Sequence, residues 1–345
     1  MKTLLRLLLK TQHQQNRSGP AQTDKGMTLV ELLVGAIMAF LIITPMLGFV
    51  VDMLNTDRRE QVKSNTEQDL QAAVDFIAQD LSQAIYIYDG KGINAIRSQL
   101  PNNGDSNKVP ILVFWKRQLI KNSIPVDAST LKPKDCGPNT CNDTYLRSLV
   151  AYYHFKDPVN TWCQPSGNPN DCPTRIARYE ITDGIKNPLT QAYYKQDDSE
   201  TTKEQRKDSV FNEKFDFSKP TLEVTDLTMG SNFPDPQVLV NYIDHTTTAT
   251  NPNVPQPPDC KIALGVVDPT AAGSTPINAA DLRITDGSTH SFYACVDTSK
   301  NLARVTIRGN SLRRLQANDT AYNPNKSAFF PTATVQVKGL GAIGK

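Results

Sequence analysis

The sequence predicts an α+β protein: one long N-terminal helix, first transmembrane and then amphipathic, packed on an antiparallel β-sheet domain with large loops. Three observations carry that expectation. Residues 27–51 hold a single charge, Glu31, and are long enough for a helix of about 20 residues to cross a bilayer. Leu70, Val74, Ile77, Leu81, Ala84 and Tyr88 then recur at spacings of four and three, the pattern of one buried helix face. Beyond Asp89 come short β-branched or aromatic runs divided by Pro, Asn, Asp and Gly, as strands and turns require.

Residues 1–26 form a basic leader, with Lys2, Arg6, Lys10, Arg17 and Lys25 against Asp24 alone. Its leucines, Leu4, Leu5, Leu7, Leu8 and Leu9, suit a short amphipathic helix on a membrane surface. Positive charge before the span places the N-terminus in the cytoplasm and the bulk of the chain outside. The whole chain is only +2, so once the basic leader is set aside no cationic surplus remains for nucleic acid.

A cleaved secretory signal has an apolar core of roughly 7–15 residues and a small-residue site. Here the run is too long, and Val51-Asp52-Met53-Leu54 offers no such site. A plain signal anchor explains the span but not Gly26-Met27-Thr28-Leu29-Val30-Glu31 at its mouth. A carboxylate costs about 2.5–3.5 kcal/mol at mid-membrane even on the gentlest scales, and less near the interface. Gly35, Pro45 and Gly48 lie within the span. They read either as a weak point where the axis bends or as the ordinary tolerance of membrane helices for these residues.

Lys25-Gly26-Met27-Thr28-Leu29-Val30-Glu31 and the apolar run after it resemble the N-terminal signature of type IV pilins and type II secretion pseudopilins. The resemblance implies a pilin-like fold and a prepilin peptidase cut between Gly26 and Met27, with methylation of the new N-terminus. It also implies that Glu31 pairs with that amine on a neighbouring subunit. Met27 stands where many family members have Phe. The chain's size and insertions are similar to those of J-type minor pseudopilins and W-type minor pilins. Residues 76–90 and 110–117 resemble the hormogonium polysaccharide secretion pseudopilins, C type. These likenesses imply a minor pseudopilin, not an enzyme and without cofactor, anchored in the inner membrane with a periplasmic C-terminal domain and incorporated into a pseudopilus. Its partners would be prepilin peptidase, other pilins or pseudopilins, an inner-membrane assembly platform and exported polysaccharide used in gliding motility. Alternatives are a minor pilin of a type IV pilus, for twitching or DNA uptake, and a membrane-anchored sugar-binding protein.

Residues 52–90 read as a polar neck followed by the amphipathic helix, reaching about Tyr88. Gln71, Asp75, Gln79, Asp80 and Gln83 form its outward face, and Asp89-Gly90-Lys91-Gly92 its stop. A coiled-coil seam is the rival reading, but the stripe lasts under three heptads. In residues 91–345 the strands are expected at Val109–Trp115, Leu146–Phe155, Arg175–Thr182, Val238–Ile243, Lys261–Val267, Ser291–Val296, Ala303–Arg308 and Thr334–Lys338. Long polar insertions fill 119–145 and 157–174, a dense charge run covers Tyr194–Lys214 as a solvated segment or partner surface, and the tail from Gly339 to Gly344 reads as mobile.

All six cysteines lie beyond the span, where an even count reads as disulfides with every connectivity open. Proximity favours Cys136 with Cys141, Cys163 with Cys172, and Cys260 with Cys295, the last tying two predicted strands. A zinc site is the rival, but there is no Cys-x-x-Cys pair and the histidines are scattered. His13 falls in the leader, His154 in a predicted strand, His245 in a loop and His290 at a strand entry. No Gly-x-Ser-x-Gly, His-Glu-x-x-His or phosphate loop is present. Asp183-Gly184 and Asp286-Gly287 are turn signals, and Asp197/Asp198 lack the spacing of a calcium loop. Tyr152, Tyr153, Phe155, Trp162, Tyr193 and Tyr194 read as core or loop anchors first and as a sugar-stacking surface second.

Overall fold

The computed structural model describes residues 28–158, 161–163, 172–213, 233–268 and 276–341. Helix α1 spans Leu29–Ser82, and the chain divides into one unit ending at Asp57 and a larger one beginning at Arg58. In the first unit, Leu29 to Leu54 leaves its large apolar side chains exposed. Among the described residues α1 is the one helix long and apolar enough to cross a membrane. Residues 29–51 rise about 35 Å, more than a hydrocarbon core of roughly 30 Å. Pro45 lies inside this stretch, and beside it the Thr44 hydroxyl donates to the Phe40 carbonyl at 2.8 Å.

In the second unit α1 buries Thr66, Leu70, Ala73, Val74, Ile77, Asp80 and Leu81. It stops at Ser82 rather than near Tyr88. The next residues form strand β1, Ala84–Ile87, antiparallel to β2, Lys108–Pro125, with Tyr86 opposite Trp115. Ile85, Tyr86 and Ile87 are β-branched or aromatic, and the edge of β2 supplies a ladder to join. Ala84 and Tyr88 are buried all the same, so their apolar spacing did not distinguish helix from strand. Asp89 starts an element instead of stopping one: its carboxylate accepts from the Gly92 N–H and caps α2, Gly90–Ile96.

Strands β3, Cys141–Phe155, β4, Thr174–Thr182, and β5, Gln237–Ile243, complete a sheet ordered β1-β2-β3-β4-β5. A second antiparallel sheet runs in the order β6-β7-β8-β9: β6 is Arg283–Thr285, β7 Phe292–Asp297, β8 Leu302–Arg308 and β9 Thr332–Lys338. One hydrophobic core joins Leu70, Ile77 and Leu81 of α1 to Phe114 and Tyr152 of the first sheet and to Phe292 and Val305 of the second. The sheets meet at a corner where Ile243 bridges Gly309. A Cβ on Gly309 would lie 2.9 Å from Thr66 Cγ2 and 3.0 Å from Leu70 Cδ1, so α1 seats directly on bare backbone there.

Other expectations need correction. Lys261–Val267 is not a strand. Cys260–Leu264 is a short helix, α3, capped by Asp259 accepting from the Lys261 N–H and ended by Gly265 at φ 62°, and these caps outweigh the β propensity of Ile262 and Val266. The insertion 119–145 is ladder at both ends, because β2 continues to Pro125 and β3 begins at Cys141, with a left-handed Asn122 at an irregularity between them. The charge run is packed as far as it is described: Tyr194, Thr201, Gln205, Val210 and Phe211 are buried. In the tail, Gly339 donates to the Asn301 carbonyl at 2.9 Å, and residues 342–345 lie outside the described residues.

Disulfides join Cys136–Cys141, Cys163–Cys172 and Cys260–Cys295. The third ties α3 to β7 rather than strand to strand, beside Leu264 and Leu282. It closes the longest loop, with a separation of 35 residues, so the double variant Cys260→Ala/Cys295→Ala should lose about 2–4 kcal/mol in denaturant unfolding. The Cys136–Cys141 bond spans a separation of only five, and Cys136→Ala/Cys141→Ala should lose less.

Candidate functional site: an acidic helix cap and a buried ionic anchor

Every helix opens with N–H groups that lack partners and a partial positive charge. Thr28 and Glu31 meet both needs for α1. The Thr28 hydroxyl oxygen accepts from the Glu31 N–H at 3.3 Å, and the same hydroxyl lies 3.4 Å from Glu31 Oε2. This is a variant of the Thr-x-x-Glu capping box. Glu31 is exposed, among exposed Leu29, Val30, Leu32 and Leu33, so it presents one negative charge on an apolar surface. Chemically it can accept hydrogen bonds or pair with an amine. Gly26 and Met27, the predicted processing pair, lie outside the described residues.

The second unit carries a buried polar cluster at a residue expected on the outward face. Asp80 does not face outward. Its Oδ2 accepts from Arg178 Nε at 2.7 Å and from the Tyr152 hydroxyl at 2.7 Å, and its Oδ1 from Lys116 Nζ at 3.1 Å. Glu180 closes the group, 2.8 Å from Lys116 and 2.7 Å from Arg178. One residue of α1 is thereby tied to β2, β3 and β4. The signal was present: Asp80 stands three residues after Ile77 and seven after Ala73, on the edge of the apolar stripe. Burial alone would raise the Asp80 pKa, but Arg178, Lys116 and Tyr152 more than offset it and hold the carboxyl below its ordinary value. Glu180 is lowered in the same way, Arg178 and Lys116 outweighing burial.

A second polar ring joins the two sheets. His154 Nε2 lies 2.7 Å from Thr174 Oγ1, which donates to the Asp244 carbonyl at 3.2 Å. Arg308 Nε donates to Asp244 Oδ2 at 3.0 Å and its Nη2 to the Thr289 carbonyl at 2.9 Å. The Thr289 hydroxyl donates to Asp286 Oδ2 at 3.0 Å, and Asp286 Oδ2 returns to His154 Nδ1 at 3.4 Å. Burial opposes ionisation of Asp286, yet His154, Ser288 and Lys156 hold its pKa well below the usual carboxylate range. The His154 and Asp286 side chains are both fully enclosed, and the pair ties β3 to the turn before β7.

Comparison with protein families, with curated proteins and with solved structures finds no match. The remaining sequence candidates separate by burial. Tyr152, Tyr153, Phe155 and Tyr194 are core, while Trp162 and Tyr193 are half-buried beneath Arg175 and Lys186. Among the described residues no group of three or more His, Cys, Asp or Glu gathers around a metal-sized space.

Because Asp80 and Glu180 titrate lower in the fold than in the unfolded chain, the stability they contribute is complete above pH of about 4.5 and is lost as pH falls through their folded pKa values. Asp80→Asn leaves Arg178 and Lys116 facing Glu180 alone, and should cost about 3–5 kcal/mol at pH 7. Urea titrations from pH 7 to 3 should show a shallower acid limb in the variant than in the parent.

Proposed function

We propose that the chain is a minor pseudopilin, a subunit cut by prepilin peptidase between Gly26 and Met27, held in the inner membrane by residues 27–51 and drawn into a pseudopilus through Glu31. The observation that carries this reading is the mouth of α1. Thr28 and Glu31 cap a helix that is apolar to Val51, directly after the Gly26-Met27 junction of the signature. The three disulfides beyond the span support an oxidising compartment for the C-terminal unit. The likeness of residues 76–90 and 110–117 to the hormogonium polysaccharide secretion pseudopilins directs the proposal toward polysaccharide export and gliding motility. The assembly platform and other pseudopilins are then its partners.

In this reading Glu31 has two separable roles. As a cap it needs a side-chain oxygen at the third helical position, which Gln also provides. As the partner of an N-terminal amine it needs a negative charge, and a buried ionic group used for register is the best attested role of such groups.

One substitution divides these roles, and a second tests the cleavage. Glu31→Gln should be cut and inserted normally but incorporated several-fold less, measured by cross-linking to neighbouring subunits. Normal incorporation of that variant would leave capping as the whole role of Glu31. Gly26→Glu should keep the leader, and an N-terminal sequence starting at Met27 in that variant would overturn the cleavage assignment.

A further inference from the structure

A groove of about 840 Å³ opens on the C-terminal unit, lined by none of the residues of the two polar clusters. Its walls come from four separate stretches: the turn after α2, with Ser98, Asn102 and Asn103; Lys108 at the start of β2; Tyr179 on β4; and Phe233 to Pro236 leading into β5. Pro101, Pro234 and Pro236 stiffen the two rims. Asn102 is held in the left-handed region at φ 55°, with its amide nitrogen donating to the Tyr179 hydroxyl at 2.6 Å. That leaves its carbonyl oxygen to act as an acceptor. The Asn103 amide nitrogen is engaged in the same way, donating to the Ser98 carbonyl at 3.2 Å.

The charges around the groove are already committed, except one. Lys108 pairs with Asp105 at 3.4 Å, Arg175 with Asp157 at 2.9 Å, and Arg97 donates to the Lys108 carbonyl at 3.2 Å. Asp235, exposed among the lining residues, makes no hydrogen bond or ion pair with the described residues. The groove therefore offers acceptor oxygens, from Asn102, Asn103 and Asp235, beside a half-buried aromatic ring, Phe233. Among the described residues it holds no cation free to receive an anion. Acceptors beside a ring suit a ligand with many hydroxyl donors and a C–H-rich face.

We propose that this groove binds a neutral oligosaccharide, with a pyranose face on Phe233 and its hydroxyls donating to Asn102, Asn103 and Asp235. The proposal rests on the reading of the chain as an export subunit and gives the exported polymer a seat on this subunit. Uronic-acid polymers are disfavoured, because their carboxylates meet Asp235 with no free Lys or Arg among the described lining residues to compensate.

The test is calorimetric titration of the full chain in detergent micelles with cellotetraose, laminaritetraose, maltotetraose and chitotetraose, with tetragalacturonate and tetralysine as charged comparisons. At least one neutral tetrasaccharide should bind saturably. Phe233→Ala should weaken that binding by about tenfold and Asp235→Asn by about threefold, factors that typical ring and hydrogen-bond contributions allow. Thermal unfolding should be unchanged in Asp235→Asn. Because Phe233 also packs against the core, Phe233→Ala is titrated well below its own unfolding temperature and paired with Phe233→Leu, which fills the space without a ring and should lose the same binding. Absence of saturable binding to all four neutral sugars, unchanged affinity in Phe233→Ala, or tighter binding of tetragalacturonate or tetralysine would each overturn the proposal. Peptidase-dependent cutting at Gly26, measured on the same variants, separates the two readings. If cutting persists without sugar binding, the groove alone fails; if sugar binds without cutting, the pseudopilin reading fails and the groove stands.

Discussion

The attachment of α1 to the sheet turns on one carboxylate. Leu70, Ile77 and Leu81 bury their side chains completely or nearly so, and each such burial is worth about 1.5–3 kcal/mol. Apolar contact of this kind is not directional, and a helix shifted along the sheet would still find apolar neighbours. Asp80 removes that freedom, since only one register brings its two oxygens to Arg178, Lys116 and Tyr152 together. Two acids and two bases make the cluster neutral, which limits the cost of taking it out of water. The apolar residues supply the energy, and the cluster selects the position in which it is released.

The His154 ring performs the same task between the two sheets. It passes through β3, β4, β8 and the turn before β7, so sliding one sheet on the other breaks several contacts at once. Gly309 adds a steric condition at the same corner, because Thr66 and Leu70 of α1 already occupy the space a side chain would need. Helix, first sheet and second sheet are thus referenced to one another by polar geometry on top of a shared core.

Much of this was legible in the residues. Alternation and β-branching located β4, β5, β7, β8 and β9 closely and the C-terminal part of β3, and the even cysteine count beyond the span fits the three disulfides. What stayed hidden was decided by partners distant in sequence. Ala84 and Tyr88 continue a helix-compatible spacing, and the edge of β2 pairs the residues between them into a strand. Asp80 looks like a solvated residue until Arg178, 98 positions later, is folded beside it. The groove at Asn102 and Phe233 is assembled from segments with no motif of their own. At α3 the caps at Asp259 and Gly265 outweighed the β-like composition that made Lys261–Val267 read as a strand. At the mouth of α1 the sequence marked Thr28 and Glu31 only as part of a signature, and the structure adds their capping contacts, whereas the neighbouring Gly26 and Met27 lie outside the described residues and rest on the sequence alone.

Because the last turns of α1 belong to the core of the C-terminal unit, that unit has no natural boundary at the start of its sheet. A truncation beginning at Lys91 would strip Leu70, Val74, Ile77 and Leu81 from the core and leave Arg178 and Lys116 buried against Glu180 alone. The separable body begins near Arg58. The same arrangement determines how the joint carries a load. The three contacts of Asp80 leave from one side chain, so a displacement of residues 58–82 strains all three at once, and they act as a single fastening between helix and sheet.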